Sequence, residues 1–208
     1  MNLPKLLSGR RHGRACPDCA KEAVGLDADR LASMNWITTQ IGEHGWAVSG
    51  IHGDGPLPPW AYSVGMWLTC QSAELIACGI PARNAAGIIN VIGGRIADGD
   101  QIGPDDVLTD ICPAPLTVRP VDLSWRMTSL FALSDEFYGF VRPPYLQVVW
   151  ADTNGRFPWE PGFRTDFAGM QPLLWLPRDD NPPSHWTRID QPALAATDPL
   201  RTLRSMRR

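Results

Sequence analysis

The chain has 208 residues, of which 44% are hydrophobic and 20% charged, a composition typical of a folded globular protein and not of a disordered one. Its length suits one ordinary domain with appendages, and its nine tryptophans can bury enough apolar surface for a core without disulfide bonds. The net charge of −3 conceals an acidic centre, because residues 23–176 contain eight arginines, no lysine and sixteen carboxylates. Such a centre repels phosphate backbones, which argues against nucleic-acid binding by the core.

The sequence also predicts the cellular compartment and the domain organisation. The chain has no apolar run near the ~20 residues of a membrane-spanning helix, and residues 1–14 lack the apolar stretch of a secretory signal. Five cysteines, mostly scattered, suit a reducing compartment, so we expect a cytoplasmic protein without a membrane partner. Three zones are predicted: a polar lead-in at 1–23, a single domain at 24–176, and a proline-rich tail at 177–208 with a basic end and no core element.

The first half of the domain is predicted to start with a helix over 27–44, where apolar residues recur at helical spacing. Three strands follow, at 46–51, 60–66 and 74–79. A second helix begins at Pro81 and carries one apolar face to about Asp98. The pair Gly93-Gly94 lies inside this helix, which indicates close packing or a kink and not a phosphate-binding loop.

The second half of the domain is predicted to begin with a strand at 116–123, followed by a helix that is capped by Asp122 or Ser124 and ends at Gly139. A strand at 145–150, a hairpin turn at 152–155 and a strand at 173–176 complete it. The turn is predicted because Asn154-Gly155 tolerates the positive φ that hairpin turns need. This order of elements indicates an α+β fold. We expect a mostly antiparallel sheet covered by helices on one face, with extended N- and C-terminal segments.

Four stretches carry a resemblance to a known family: Gly45–Val48, Pro58–Met66, Ala73–Pro81, and Gln147–Asp152 followed by Gly155, Phe157-Pro158-Trp159 and Gln171-Pro172-Leu173-Leu174. Together they resemble the domain-of-unknown-function 4262 family, a family of uncharacterised bacterial proteins, over roughly residues 26–176. The chain departs from the family pattern at Ser63, Met66 and Ala73, where Thr, Leu and Pro are typical. The resemblance implies the extent of the fold and a set of residues, but no reaction.

A possible zinc site is the first candidate for chemistry. Cys16-x-x-Cys19 has metal-ligand spacing, and His12 lies four residues upstream. A structural zinc needs a fourth ligand, which would have to be supplied by Cys70, Cys78, Cys112, His44 or His52. The alternative is two free thiols, and a redox pair has less support because no strand precedes the cysteines.

Four residues are candidates for acid–base chemistry. Glu74 lies in an otherwise apolar strand, so its carboxylate must be hydrogen-bonded or neutralised, as a structural anchor, which we favour, or as a tuned acid. Tyr62, on the preceding strand, could place its hydroxyl near Glu74, as a proton-transfer partner or a structural hydrogen bond. Asp152 is most simply the residue that opens the predicted turn, although with Glu160 it could contribute to a cation site. His52 belongs to no recognisable nucleophile motif.

Two functions remain open. The first is a non-catalytic binding or regulatory module that recognises a protein or small ligand through an acidic, Trp-lined surface formed by Tyr62, Trp67, Glu74 and Trp159. The alternative is a small-molecule hydrolase or isomerase that uses Glu74 and Tyr62 as acid–base groups, with Asp152 or His52 in support. The sequence contains no complete catalytic motif, which favours the first function.

Overall fold

A computed structural model describes residues 17–53, 55–139 and 141–189, with side chains from residue 28 onwards. The chain divides into two compact units, Met1–Trp36 and Ile37–Arg208. Helix α1, Pro17–His44, begins in the first unit and supplies all of its described residues. Every other element belongs to the second unit. Within the described ranges, no helix is long and apolar enough to cross a membrane.

A single six-stranded sheet organises the second unit. Its strands are β1 (Ala47–Ile51), β2 (Trp60–Val64), β3 (Glu74–Cys78), β4 (Val107–Leu108), β5 (Leu116–Pro120) and β6 (Tyr145–Trp150). They lie in the order β1-β2-β3-β6-β5-β4, and all neighbours are antiparallel except β3 and β6. The predicted α+β fold with a mostly antiparallel sheet is confirmed.

The two faces of the sheet are covered differently. The helices of the second unit after α1 are α2 (Met66–Thr69), α3 (Ala82–Ala97) and α4 (Ala132–Tyr138). The predicted second helix is confirmed as α3, and its apolar stripe packs on the face that presents Ala61, Leu75 and Val148. The opposite face presents Tyr62 and Tyr145, and it is covered by α4, short 3-10 turns and the chain after β6.

The predicted helix that ends at Gly139 is interrupted. The structure has two 3-10 turns, Leu123–Met127 and Ser129–Phe131, before α4. The Asp122 side chain accepts the Ser124 N–H at 2.9 Å, and the Thr128 hydroxyl accepts the Leu130 N–H at 3.3 Å. Each capping side chain starts a new turn, so the prediction of one continuous helix was wrong.

The predicted last strand, at 173–176, was also wrong, because side chains satisfy its backbone. Asn181 bonds both the N–H and the C=O of Leu173, each at 3.0 Å, and Gln147 accepts the Leu174 N–H at 2.9 Å. The turn at 152–155 forms, with the Gly155 N–H donated to the Asp152 carbonyl at 2.9 Å. No strand follows that turn in the described part of the chain, so it does not close a hairpin.

The structure differs from the expectation that the chain after Pro177 lacks a core element. Trp186 is fully buried, its ring lies edge-on to Trp60 at 5.8 Å between centroids, and its Nε1 donates to the Gly169 carbonyl at 3.1 Å. The lead-in to residue 16 and the basic end from residue 190 lie outside the described residues.

Candidate functional site

Glu74 is the first residue of β3, and its side chain has no exposed surface. Its Oε2 accepts the Ser63 hydroxyl at 2.5 Å, and its Oε1 accepts the Tyr138 hydroxyl at 2.5 Å. The backbone N–H groups of Gly65 and Trp67 also donate to Oε1, at 2.8 and 3.1 Å. Four donors match the acceptor capacity of a carboxylate, so Glu74 is the buried anchor that the sequence favoured.

Gly65 places the backbone donors around that carboxylate. It follows β2 with φ +119°, a backbone conformation that glycine adopts without the strain that other residues would have. A Cβ at this position would also lie 2.6 Å from the Ile41 side chain. The chain therefore turns sharply into α2 and presents the N–H groups of Gly65 and Trp67 to Glu74. Ser63 adds a second link, since its hydroxyl oxygen also accepts the Leu75 N–H at 2.8 Å.

Tyr138 joins α4 to this anchor, and sequence reasoning missed it. Its hydroxyl donates to Glu74 and accepts the Gly65 N–H at 2.9 Å. Burial, and then the adjacent Glu74 charge, raise the pKa of Tyr138 far above its usual value, so the phenol stays protonated. The Trp67 ring lies edge-on to the Tyr138 ring at 5.9 Å between centroids and leaves 36% of Trp67 exposed.

A second buried charge fastens the same helix. Arg126 is 3% exposed and donates from Nη2 to Asp135 of α4 at 2.8 Å. Its guanidinium lies 4.3 Å from the Phe131 ring centroid and 4.5 Å from that of Tyr145. Burial raises the pKa of Asp135, against the opposing effect of Arg126. Because Asp135 and Tyr138 are three residues apart, one face of α4 carries both links.

Tyr62 does not bond Glu74, contrary to expectation. Its hydroxyl accepts the Leu133 N–H at 3.2 Å, and its ring lies edge-on to Phe131 at 5.8 Å. Burial raises the pKa of Tyr62. The strand register explains the difference: Tyr62 pairs with Ile76, so it is set back from Glu74, and Tyr138 reaches the carboxylate from another element.

Asp152 and His52 lie away from Glu74. Asp152 is two residues beyond β6, whose first residue, Tyr145, pairs with Glu74, and seven residues of extended chain span roughly 23 Å. His52 is exposed and follows β1 at the end of the sheet where Ile51 pairs with Trp60. The structure therefore does not bring the four acid–base candidates together.

The Asp152 side chain is used by the turn that it opens. Its oxygens accept the backbone N–H groups of Asn154 at 2.8 Å, Arg156 at 3.0 Å and Arg164 at 2.9 Å. Glu160, the other half of the suggested cation site, accepts the Phe157 N–H at 2.6 Å. Both carboxylates act as local backbone anchors.

Trp159 belongs to a different cluster from Trp67. Its ring stacks on Phe157 at 5.1 Å and lies edge-on to Trp175 at 5.2 Å. The Arg119 guanidinium of β5 lies 4.1 Å from the Trp159 ring centroid. Trp159 is 42% exposed, so two separate aromatic surfaces exist, one beside the β2–β3 connection and one over β5.

The predicted metal ligands cannot be placed. His12 and Cys16 lie outside the described residues, and only the backbone of Cys19, in α1, is described. The cysteines described with side chains, Cys70, Cys78 and Cys112, are free thiols. No group of three or more His, Cys, Asp or Glu side chains able to hold a metal occurs in the part of the chain that the structure covers.

Comparison with known proteins identifies the family. The family described as "Domain of unknown function (DUF4262)" matches residues 40–164, more than half of the chain. The chain belongs to the DUF4262 family. The matched range covers all six strands, Glu74, Trp67 and Tyr138, and it ends before residues 165–189. None of the curated proteins or solved structures compared with the chain matches it.

Proposed function

We propose that this DUF4262 protein is a non-catalytic binding or regulatory module and that the surface around Trp67 recognises a protein partner. The observation that carries the proposal is the shared use of one oxygen. Glu74 Oε1 accepts both the backbone N–H of Trp67 and the Tyr138 hydroxyl, so one buried carboxylate holds the backbone at Trp67 and the half-buried Tyr138 side chain against which the Trp67 ring lies. Rigid aromatic side chains lose little entropy on binding, and they are common anchors of protein interfaces.

The surface around these rings is apolar and open. Trp67 is 36% exposed, Leu68 beside it 54%, and Val141, whose N–H is donated to the Tyr138 carbonyl, 47%. The body of the chain is acidic, with a net charge of −8 over residues 23–176. An apolar partner surface with basic groups at its rim fits both properties, since rim charges raise the association rate.

The acid–base residues give the enzyme alternative little support. Glu74 already accepts four hydrogen bonds, and Asp152 accepts three from its own turn. A general base must reach a substrate proton within hydrogen-bonding distance, and Glu74 has no exposed surface from which to do so.

Site-directed photo-crosslinking tests the proposal. A photoreactive phenylalanine analogue replaces Leu68 in the full chain, and a matched control carries it at Val107, which is 57% exposed on the distant strand β4. In cells that produce the protein, we expect a discrete protein adduct from position 68 alone. Trp67→Ala in the same chain should reduce that adduct at least fivefold, because the anchor ring is lost.

Trp159→Ala is the matched aromatic control for this experiment. It removes an exposed indole of similar accessibility from the separate cluster over β5, so the adduct at position 68 should persist. Equal adducts from positions 68 and 107, or an adduct that Trp67→Ala leaves unchanged, would contradict the proposed surface.

A further inference from the structure

A cleft of about 320 Å³ lies between the segments 158–173 and 181–184. Its volume is at the lower end of the range of roughly 300–1,000 Å³ that small-molecule pockets occupy. Its wall is built by the chain that follows β6, much of it beyond the residues that match DUF4262. The cleft therefore belongs to a part of the molecule that the proposed function does not use.

The cleft is uncharged and mainly apolar. Prolines and phenylalanines form half of the wall: Pro158, Phe163, Phe167, Pro172, Pro182 and Pro183. No aspartate, glutamate, lysine, arginine or histidine lines it, and the Arg164 guanidinium, 5.0 Å from the Phe167 ring centroid, is paired with Asp166. A charged group that entered such a cleft would lose its hydration without gaining a partner, which is costly. The lining therefore selects a neutral ligand.

The two amide side chains in the wall are occupied by the protein's own backbone. Gln171 donates to the Trp150 carbonyl at 2.8 Å and accepts the Trp150 N–H at 3.3 Å. Asn181 bonds both backbone groups of Leu173 at 3.0 Å. Because these amides are engaged, the remaining polar side chain of the wall is Ser184, whose hydroxyl can bond one polar substituent of a ligand.

Hydrogen bonds and close packing hold one wall of the cleft. Trp186 Nε1 donates to the carbonyls of Gly169 and Met170, at 3.1 and 3.2 Å. The same segment passes so close to Gly79 that a Cβ there would lie 2.3 Å from the Met170 carbonyl oxygen. Walls that are fixed to the sheet in this way lose little entropy on binding, so a small ligand retains most of its contact energy.

We propose that this cleft binds a neutral, flat aromatic molecule of about two fused rings, with the rings against Phe163 and Phe167 and one hydroxyl or carbonyl substituent on Ser184. Aromatic rings pack favourably edge-on or offset against phenylalanine, and proline walls add apolar surface without losing side-chain entropy. This proposal does not depend on the Trp67 surface, since no residue is shared between the two sites.

Fluorescence titration of the full chain tests the proposal. N-phenyl-1-naphthylamine, a neutral probe that brightens in apolar sites, should bind saturably with one probe per chain. Unlabelled 2-naphthol should displace it. The 2-naphthoate anion and the 2-naphthylmethylammonium cation should compete at least tenfold more weakly, because each carries a charge into an uncharged cleft.

Three variants locate the binding. Phe167→Ala should weaken 2-naphthol about tenfold, and Ala168→Trp, at an exposed wall position, should block the cleft without opening the core. Ser184→Ala should weaken 2-naphthol severalfold but leave naphthalene unchanged, which a merely structural role would not do. Trp67→Ala, at the separate surface, should leave every affinity as in the parent.

Several results would overturn the proposal: no saturable probe binding, an affinity that Ala168→Trp leaves unchanged, or a preference for either charged naphthalene. Displacement of the probe by a proline-rich peptide but not by 2-naphthol would also overturn it, because the cleft would then hold a peptide. Circular dichroism of each variant shows whether the fold is retained. If the cleft binds no probe but the protein adduct at position 68 still forms, the proposed partner surface around Trp67 is not contradicted.

Discussion

Glu74 is a fully buried carboxylate that accepts four hydrogen bonds. With alanine at this position, the hydroxyls of Ser63 and Tyr138 and the Trp67 backbone N–H lose their acceptor inside the protein, and the Gly65 N–H keeps only the Tyr138 oxygen. Buried donors left without a partner cost about 1–3 kcal/mol each, offset by relaxation and water entry. We expect Glu74→Ala to lower the free energy of unfolding by at least about 3 kcal/mol, measured by urea denaturation.

Glu43→Ala provides the control for that measurement. Glu43 is a carboxylate with 61% of its side chain exposed, and its removal should change stability by less than about 0.5 kcal/mol. Glu74→Gln keeps one acceptor oxygen, and its loss should fall between the two. If Glu74→Ala proves as stable as Glu43→Ala, Glu74 is not the anchor described above.

The contrast between Glu74 and Tyr138 shows what a sequence reveals about this site. Glu74 stands out because a carboxylate in an apolar strand needs partners, and that requirement can be read from five adjacent residues. Tyr138 lies 64 residues away, and nothing local distinguishes it from a tyrosine at an ordinary helix end. Its role depends on where the interrupted segment from 123 to 138 places α4, which is a matter of packing.

The pH dependence of stability tests the role of the Asp152 carboxylate. Burial raises the pKa of Asp152, but the backbone N–H groups of Arg156, Arg164 and Asn154 outweigh burial and hold that pKa below its usual range. Such a carboxylate contributes stability above its unfolded-state pKa of about 4, and loses it as the pH falls through the folded-state value. We expect Asp152→Asn to be less stable than the parent at pH 7, with a difference that shrinks below about pH 4.

Urea denaturation at a series of pH values measures this difference. Asp179→Asn removes an exposed carboxylate of the same kind, and its profile should follow that of the parent. A difference between Asp152→Asn and the parent that stays constant from pH 7 to pH 3 would contradict the assignment of Asp152 as a charged anchor of the turn.

At the scale of single elements, α3 carries two adjacent glycines with opposite environments. A Cβ on Gly93 would lie 2.8 Å from the Trp46 ring, whereas nothing lies within 4 Å of the Cβ position of Gly94. Gly93→Ala should therefore destabilise the protein by about 1–3 kcal/mol, because the helix or the indole must move. Gly94→Ala should stabilise it by about 0.5–1 kcal/mol, since alanine favours the helix.

Thermal unfolding separates the two variants. For a chain of this size, 1 kcal/mol moves Tm by roughly 2–4 °C, so the two Tm values should lie on opposite sides of the parent. Equal changes in Tm would mean that the contact between helix α3 and Trp46 does not require glycine at position 93. The sequence left close packing and a kink open for this pair, and the contact at Gly93 accounts for the close packing.

Elements were predictable where one local signal dominated. β1, β3, β6 and α3 lie within a residue or two of their predicted ranges, because apolar runs or a single apolar stripe define them. The helix predicted from its cap at Asp122 or Ser124 to Gly139 was wrong because the Thr128 side chain, which accepts the Leu130 N–H, starts a new turn inside it. The strand predicted at 173–176 was wrong because the side chains of Gln147 and Asn181 bond the backbone N–H groups that a neighbouring strand would otherwise bond. Both residues lie outside the segment, so a local pattern does not reveal them.

At the scale of the whole molecule, the sequence and the structure differ on where the cooperatively unfolding unit ends on its C-terminal side. Composition separates residues 177–208 from the domain, because prolines interrupt every periodic pattern there. The structure nevertheless buries Trp186 completely, against Trp60 of β2 and beneath the segment that lines the neutral cleft. A core residue contributed from beyond the DUF4262 match implies that the stretch to Ile189 unfolds together with the sheet.

Trp186→Ala tests that implication. Loss of a fully buried indole should cost about 3–5 kcal/mol and lower the urea midpoint in a single transition, since a cavity would open against β2. Trp67→Ala, at an indole that is 36% exposed, should cost less than about 1 kcal/mol and controls for loss of the same side chain. A change at Trp186 as small as that at Trp67 would place residues 177–189 outside the cooperative core. A large loss in one transition would make this segment as much a part of the fold as β2, whose Trp60 ring it covers.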